Sequence, residues 1–365
     1  MKNQYFINIL LIYIFLIAPP LFCQNKKNEK DNHFYKQFEG KLNDKNIRIE
    51  LIKAPSKEDA ENNLRGQYFF EQDNKTISFA NGSLDKAGHF YIDEGFYKKI
   101  PNQPQTFTKT GSFSGTYFAN KGKIEGFWNN GKQTLPFVWT ENYDNGSAPA
   151  DIIYNDLNYE DALIRFHYPN FRNIATANKI NKFIKDSLLG DMTKKMTVFM
   201  HLYQQEKDLG GMIEVFESSN IIYILQNDKH ILGLNFATSS ETGATHSIYQ
   251  KKYLNFNLKT GEIITLDDIF QKNYKQQLNQ LIEQDLRAKF GIKPKESLAE
   301  FGFVLKNNQL PITNNFFITR EGIGFHYNVY EIAPYAVGET SLFLTYKQLK
   351  SILKNDSLLN SYTKN

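Results

Sequence analysis

Cysteine is almost missing from this sequence: Cys23 is the only one among 365 residues. No internal disulfide can therefore form, and no thiol beyond residue 23 is available for a Cys–His pair. Charge of one sign is lacking too. The 43 Lys and Arg nearly balance the 39 Asp and Glu, and the +4 excess is spread out, so no nucleic-acid partner is called for. No Gly-rich loop follows a strand and opens a helix, which removes the usual nucleotide cradle. No GxSxG elbow appears, and no HxH or HExxH spacing. No catalytic residue, metal or cofactor is assigned on this basis.

Long apolar runs are absent except for one. Lys2 precedes an uncharged stretch from Phe6 to Phe22, and Lys26, Lys27, Glu29, Lys30 and Asp31 follow at once. A positive start, a short apolar middle and a polar exit predict a secretory signal peptide over residues 1–24. The run is shorter than the roughly 20 residues that span a bilayer, and Pro19-Pro20 would break it as a helix. Cys23 is either lipidated or lost when cleavage follows Gln24, and Phe22 departs from the small-residue rule in both cases. The mature protein is expected to be extracytoplasmic, periplasmic or secreted, touching a membrane only through a lipid anchor on Cys23.

What is abundant is aromatic. Phe and Tyr number 30 and 21, and from residue 34 to 140 they alternate with small or polar residues. Gly111-Ser-Phe113-Ser-Gly115-Thr-Tyr117 and Gly122-Lys-Ile124-Glu-Gly126-Phe-Trp128 share one pattern with a period of two, that of half-buried strands. Their glycines are expected where a Cβ would crowd a neighbouring strand. Asn81-Gly82 and Asn130-Gly131 are predicted hairpin turns. Together these predict an all-β antiparallel meander over 34–140, a barrel or a sandwich. A polar linker is expected at 141–151.

Residues 152–355 mix periods and predict an α+β domain with an antiparallel sheet and two or three helices. Strands are predicted at Ala162–Tyr168, Met212–Phe216, Ile221–Leu225, Ile231–Ala237 and Tyr249–Leu258, with late ones near Phe316–Ile318, Ile323–Tyr327 and Leu342–Thr345. Ile180, Phe183, Ile184 and Leu188 fall at helical spacing, as do Leu278, Leu281, Ile282 and Leu286. A short last helix carries Leu349, Ile352 and Leu353. Asp267 and Asp268 stand where a helix start attracts carboxylates, ahead of Ile269-Phe270.

Four segments of this half carry a resemblance. They are Gly243-Ala-Thr-His246, Tyr253 to Gly261, Ile264 to Phe270, and Gly322-Ile-Gly324-Phe325-His-Tyr327 with Tyr330-Glu-Ile-Ala-Pro334-Tyr335 and Gly338. They resemble the extracytoplasmic domain of unknown function shared by the lysozyme-responsive sigma-V anti-sigma factor and some secreted peptidoglycan deacetylases, the RsiV-like C-terminal domain. Asn257 stands where that family commonly has Asp. Neither the sigma-binding segment nor the deacetylase catalytic domain is read here, so neither activity carries over. The resemblance implies a non-catalytic envelope binding module whose partner is a protein such as lysozyme or a cell-wall glycan. The ligand-binding candidates are His246, His326, Tyr327, Tyr330, Glu331 and Tyr335.

Two rival functions keep their own residues. A glycan-acting hydrolase or deacetylase would need Asp93, Glu94 and Glu125 to converge, or a histidine-bound metal. Trp128 and Trp139 with Tyr117 serve either as core or as a platform for a sugar ring. The second rival is a structural envelope component with no small ligand.

Overall fold

The computed structural model describes residues 33–54, 63–71, 76–98, 106–210, 215–242, 247–306 and 309–363. The signal peptide, Cys23, His246 and most of the expected strand Met212–Phe216 lie outside them.

Eight strands come first: β1 (Phe34–Leu42), β2 (Lys45–Lys53), β3 (Leu64–Phe70), β4 (Thr76–Leu84), β5 (His89–Lys98), β6 (Thr106–Phe118), β7 (Lys123–Asn129) and β8 (Thr134–Glu141). Each pairs antiparallel with the next, and β8 returns to β1 through Phe38↔Glu141, Glu39↔Thr140 and Gly40↔Trp139, closing a barrel. Alternate side chains fill it: Phe38, Ile49, Tyr68, Phe79, Phe113 and Trp139 are buried inside. Gly115 and Gly126 face one another across β6 and β7. A Cβ on Gly115 would lie 2.1 Å from the Glu125 carbonyl oxygen, so crowding explains the repeated glycines. Trp128 and Trp139 belong to this core and offer no sugar platform.

Asn130-Gly131 forms the β7–β8 turn, as expected. Asn81-Gly82 does not form a turn. It lies within β4 as a bulge, with Asn81 at φ +50° and its amide donating to Asp93 at 3.1 Å. A left-handed Asn fits a bulge as well as a turn, so the dipeptide alone did not distinguish them.

The sheet then continues. β9 (Ala150–Tyr159) pairs with the start of β1 at Phe34 and Tyr35, and with β10 (Ala162–Phe171) along its whole length. Residues 142–149 join the two parts through a turn in which Asn227 clasps Ala148 by both its N–H and its carbonyl. Two helices follow, α1 (Ala177–Phe183), extended by a wider turn to Leu189, and α2 (Met192–Asp208). β11 (Phe216–Asp228) lies parallel to β10, and β12 (Ile231–Thr242) and β13 (Ile248–Asn257) complete the run antiparallel. The expected strand at 221–225 is thus part of one 13-residue strand that begins at Phe216, because Glu217 to Asn220 are as extended as their neighbours. α2 was not foreseen: only Phe199 and Tyr203 of its 17 residues are fully buried, too thin a stripe to show in the pattern. Both helices cover one face of β10–β12, packing Ile180, Ile184, Phe199 and Tyr203 on Ile164, Phe166 and Phe216.

The last part holds α3 (Leu266–Ile269), α4 (Tyr274–Phe290), β14 (Phe316–Ile318), β15 (Gly322–Tyr327), β16 (Thr340–Thr345), α5 (Tyr346–Leu349) and α6 (Asn360–Thr363). Its three strands form a small antiparallel sheet against the Leu278, Ile282 and Leu286 stripe of α4. Asp268 closes a capping box with Thr265, accepting from its N–H at 2.8 Å and its hydroxyl at 2.7 Å, which accounts for the acidic pair. Three asparagines fasten this part to β13. Asn315 accepts from the Tyr253 N–H, Asn328 accepts from the Lys251 N–H, and Asn255 donates to the Phe316 carbonyl. Side-chain amides so take up backbone groups that an edge strand would leave open. Among the described residues no helix is long and apolar enough to cross a membrane.

Candidate functional site: a tyrosine face and a groove

The chain between β15 and β16 turns at Asn328–Gly338. Tyr330 adopts φ +68°, a left-handed conformation that costs a bulky side chain of order 1 kcal/mol or more, and its N–H donates to the Ala333 carbonyl at 3.0 Å. The ring is 70% exposed. Its centroid lies 6.1 Å from that of Tyr335, which lies 6.4 Å from Tyr249 on β13, so three rings stand in a row. Beneath them Lys251 pairs with Glu339, and Asn328 donates to Glu331 at 3.2 Å.

His326 and Tyr327 lie deeper. Tyr327 is buried and its hydroxyl donates to the Pro311 carbonyl at 2.6 Å. His326 is fully buried against the Tyr253 ring, with Nδ1 2.8 Å from Ser341 Oγ and Nε2 3.3 Å from Asn328 Oδ1. Of the six candidates, then, Tyr330, Glu331 and Tyr335 reach the surface, His326 and Tyr327 support them from below, and His246 lies outside the described residues. Glu339 Oε2 is buried with no hydrogen-bond partner among the described residues, 3.8 Å from His326 Nε2.

Burial holds the His326 imidazole below its ordinary value, and the Glu339 carboxylate offsets this only in part. An unfolded histidine titrates near about 6.5, so on acidification through that value the unfolded chain takes up the proton first. The stability is present above that pH and is lost below it, by about 1.4 kcal/mol for each unit by which the folded value is depressed. The melting temperature is expected to fall between about pH 7 and 5, and less steeply in His326→Gln, as calorimetry at several pH values would measure. Identical pH slopes in the two proteins would contradict this.

The carboxylates proposed for glycan cleavage do not converge. Asp93 pairs with Lys109 at 2.6 Å, Glu94 accepts from the core Tyr68 hydroxyl at 2.7 Å, and Glu125 pairs with Lys123. Among the described residues no group of three or more His, Cys, Asp or Glu is placed to hold a metal ion.

A second constellation carries no sequence motif. On the face of β9–β11 opposite the helices, Asp156 accepts from His167 Nε2 at 2.7 Å, and Arg165 pairs with Glu217 at 2.9 Å. The Tyr154 ring is held between His33 and His167, with centroids at 4.8 and 4.4 Å. Tyr154, Asp156, Arg165 and His167 line a groove of about 440 Å³ together with Ile52 and Arg65 of the barrel and Tyr223 of β11. They come one or two at a time from five strands, which is why no local pattern announces them.

Residues 267–347, from within α3 to the start of α5 and including the whole turn of Tyr330, match the model of a family described as "Protein of unknown function (DUF3298)". The chain carries a DUF3298 domain. Of the segments behind the expected resemblance, Gly322–Tyr327 and Tyr330–Gly338 fall inside it, Ile264–Phe270 does so only from residue 267, and Gly243–His246 and Tyr253–Gly261 lie outside. The chain is also similar, at 26% identity over 150 residues, to the peptidoglycan-N-acetylmuramic acid deacetylase PdaC of Bacillus subtilis. That match covers 40% of this chain and 31% of the relative, so the chain spans about a third of it. A DUF3298 family member from Bacteroides fragilis shares the fold, with TM-score 0.51 and 21% identity over 60% of this chain and 99% of that one. A DUF3298 protein from Pseudomonas aeruginosa aligns with TM-score 0.44 and 14% identity, over 59% of this chain and 97% of its own. Tyr330 and Tyr335 lie within the matched residues, whereas Tyr249, Lys251 and the groove lie outside them.

Proposed function

We propose that this protein is exported and acts at the bacterial envelope as a non-catalytic binding protein, and that its DUF3298 domain, together with Tyr249 of β13, takes a cell-wall glycan on the Tyr249–Tyr335–Tyr330 face. The observation that carries this reading is Tyr330 itself, an exposed ring on a strained backbone. Stability alone would favour glycine there; a large ring held outward at a cost serves recognition. Tyrosine rings stack on the apolar faces of sugars, and the Lys251–Glu339 pair with Glu331 supplies donors and acceptors for hydroxyls. The leader at residues 1–24 and a relative named for peptidoglycan support the envelope setting. A protein such as lysozyme is the second reading, since tyrosines rimmed by charges of both signs also suit protein partners.

Calorimetry of the mature protein with soluble peptidoglycan fragments and, separately, with lysozyme tests both. Tyr330→Ala is expected to weaken glycan binding about tenfold or more, the size of an aromatic hot spot, with thermal stability unchanged or slightly raised. Binding of lysozyme alone would transfer the face to the second reading. Silence with both, or full binding by Tyr330→Ala, overturns the assignment. Recovery of tagged protein inside the cell with its leader uncut would overturn the envelope setting.

A further inference from the structure

We infer that the groove between the barrel and the β9–β11 face is a second binding site, which takes a small monocarboxylate with an apolar or ring-shaped body. It is separate from the tyrosine face and stands on its own observations.

The first is how the groove closes. Arg65 lies on β3 and Tyr223 on β11, with β2, β1, β9 and β10 between them in the sheet. In a flat sheet five strand spacings would separate them by about 24 Å. Instead the Arg65 guanidinium sits 6.0 Å from the Tyr223 ring centroid. The sheet therefore folds over on itself, and one continuous surface supplies both walls. At about 440 Å³ the open groove falls in the range of small-ligand pockets, roughly 300–1,000 Å³, and its apolar lining comes from Ile52, Ile152 and Ile221.

The second is charge. Every other charged side chain of the groove is answered by the protein: His167 by Asp156, and Arg165 by Glu217. Arg65 has no carboxylate partner among the described residues and is held only by the Tyr223 ring. One fixed positive charge remains uncompensated, on a planar fork whose geometry matches a carboxylate in two parallel hydrogen bonds.

The third is the donor beside it. The Tyr154 hydroxyl makes no hydrogen bond to another described residue, while its ring is immobilised between two imidazoles. Burial pushes this phenol up to about 12, so it keeps its proton and can donate. Arg65 and Tyr154 thus offer convergent donors to one anionic head, and Tyr223 with the isoleucines receives the body. No bond is made or broken.

The carboxylate could end a short peptide or belong to an acidic sugar, and matched pairs separate these sources. The mature protein is titrated calorimetrically with N-acetyl-Leu-Ala-Ala and its C-terminal amide, and with N-acetylmuramic acid and N-acetylglucosamine, which lacks the carboxylate. In at least one pair the acid is expected to bind at least tenfold tighter than its neutral partner, and that pair names the source. Arg65→Gln should abolish the difference, and Tyr154→Phe should reduce it. Equal binding of acid and neutral forms in both pairs, no binding of either acid at millimolar concentration, or a preference that survives Arg65→Gln overturns the inference. Arg65 is exposed, so its replacement leaves the fold intact, and an unchanged melting temperature verifies that.

Discussion

Replacing Arg320 by alanine is expected to destabilise the protein by about 3–5 kcal/mol, the cost of leaving buried charges without their partner. Arg320, only 4% exposed, lies between β14 and β15. Its Nη2 donates to Glu50 Oε1 on β2 at 2.7 Å, and its Nε donates to Asp228 Oδ2 at the end of β11 at 3.0 Å. The guanidinium lies over the Phe69 ring of β3, 3.6 Å from its centroid. The remaining carboxylate positions are satisfied: Gln67 donates to Glu50 at 2.8 Å, and Tyr362 and Gln226 donate to Asp228. Two carboxylates facing one guanidinium hold it firmly protonated.

Removing that guanidinium strands two carboxylates at 5% and 2% exposure, whereas each member of a surface pair such as Lys182–Asp186 stays solvated when its partner is lost. Chemical denaturation should therefore show a large fall in midpoint for Arg320→Ala. Adding Glu50→Gln and Asp228→Asn to it should recover part of the loss, because the penalty lies in the orphaned charges rather than in a missing attraction. A loss below about 1 kcal/mol would mean that water reaches these carboxylates. Since Glu50 and Asp228 stand on the two walls of the folded sheet, the same variant should also weaken any ligand held in the groove.

Trp139→Ala is expected to cost a similar amount, about 3–5 kcal/mol, for a different reason. The indole is fully buried in the barrel, with ring centroids of Phe137, Phe113, Phe90 and Phe79 at 4.5, 4.8, 5.6 and 6.0 Å. A small barrel is filled by its own side chains, and the four phenylalanine rings cannot collapse into the space the indole leaves. Trp139 also sits opposite Gly40 at the three-pair closure of β1 on β8, where a Cβ on Gly40 would lie 2.7 Å from the indole Cδ1. The cavity therefore opens at the weakest part of the barrel wall. Guanidinium unfolding should show a lower midpoint with an unchanged slope. An altered slope would mean that the barrel separates from the rest before unfolding.

The barrel was legible because its signals are local. Gly111–Tyr117 and Gly122–Trp128 each report a strand through their own alternation, and their pairing at Gly115 and Gly126 follows from proximity in the chain. The α4 stripe and the Thr265–Asp268 cap were legible for the same reason. What escaped is set by contacts between distant segments. The pairing of Arg320 with Glu50 joins residues 270 positions apart, and neither belongs to a pattern. The groove is hidden likewise, since Arg65, Tyr154, His167 and Tyr223 are single positions on four strands. Tyr330 lies between: its motif was visible, but its outward strain was not, because no periodicity encodes a backbone angle.

β1 shares one edge between two neighbours, β9 beside Phe34 and Tyr35 and β8 beside Phe38 to Gly40. It is the first of the described strands to be synthesised, yet both neighbours lie roughly a hundred residues downstream. Until they arrive, its open backbone is a template for intermolecular pairing, and loop-closure entropy delays the seam further. A chain built this way gains from being kept unfolded until its synthesis is complete, the condition that post-translational secretion imposes.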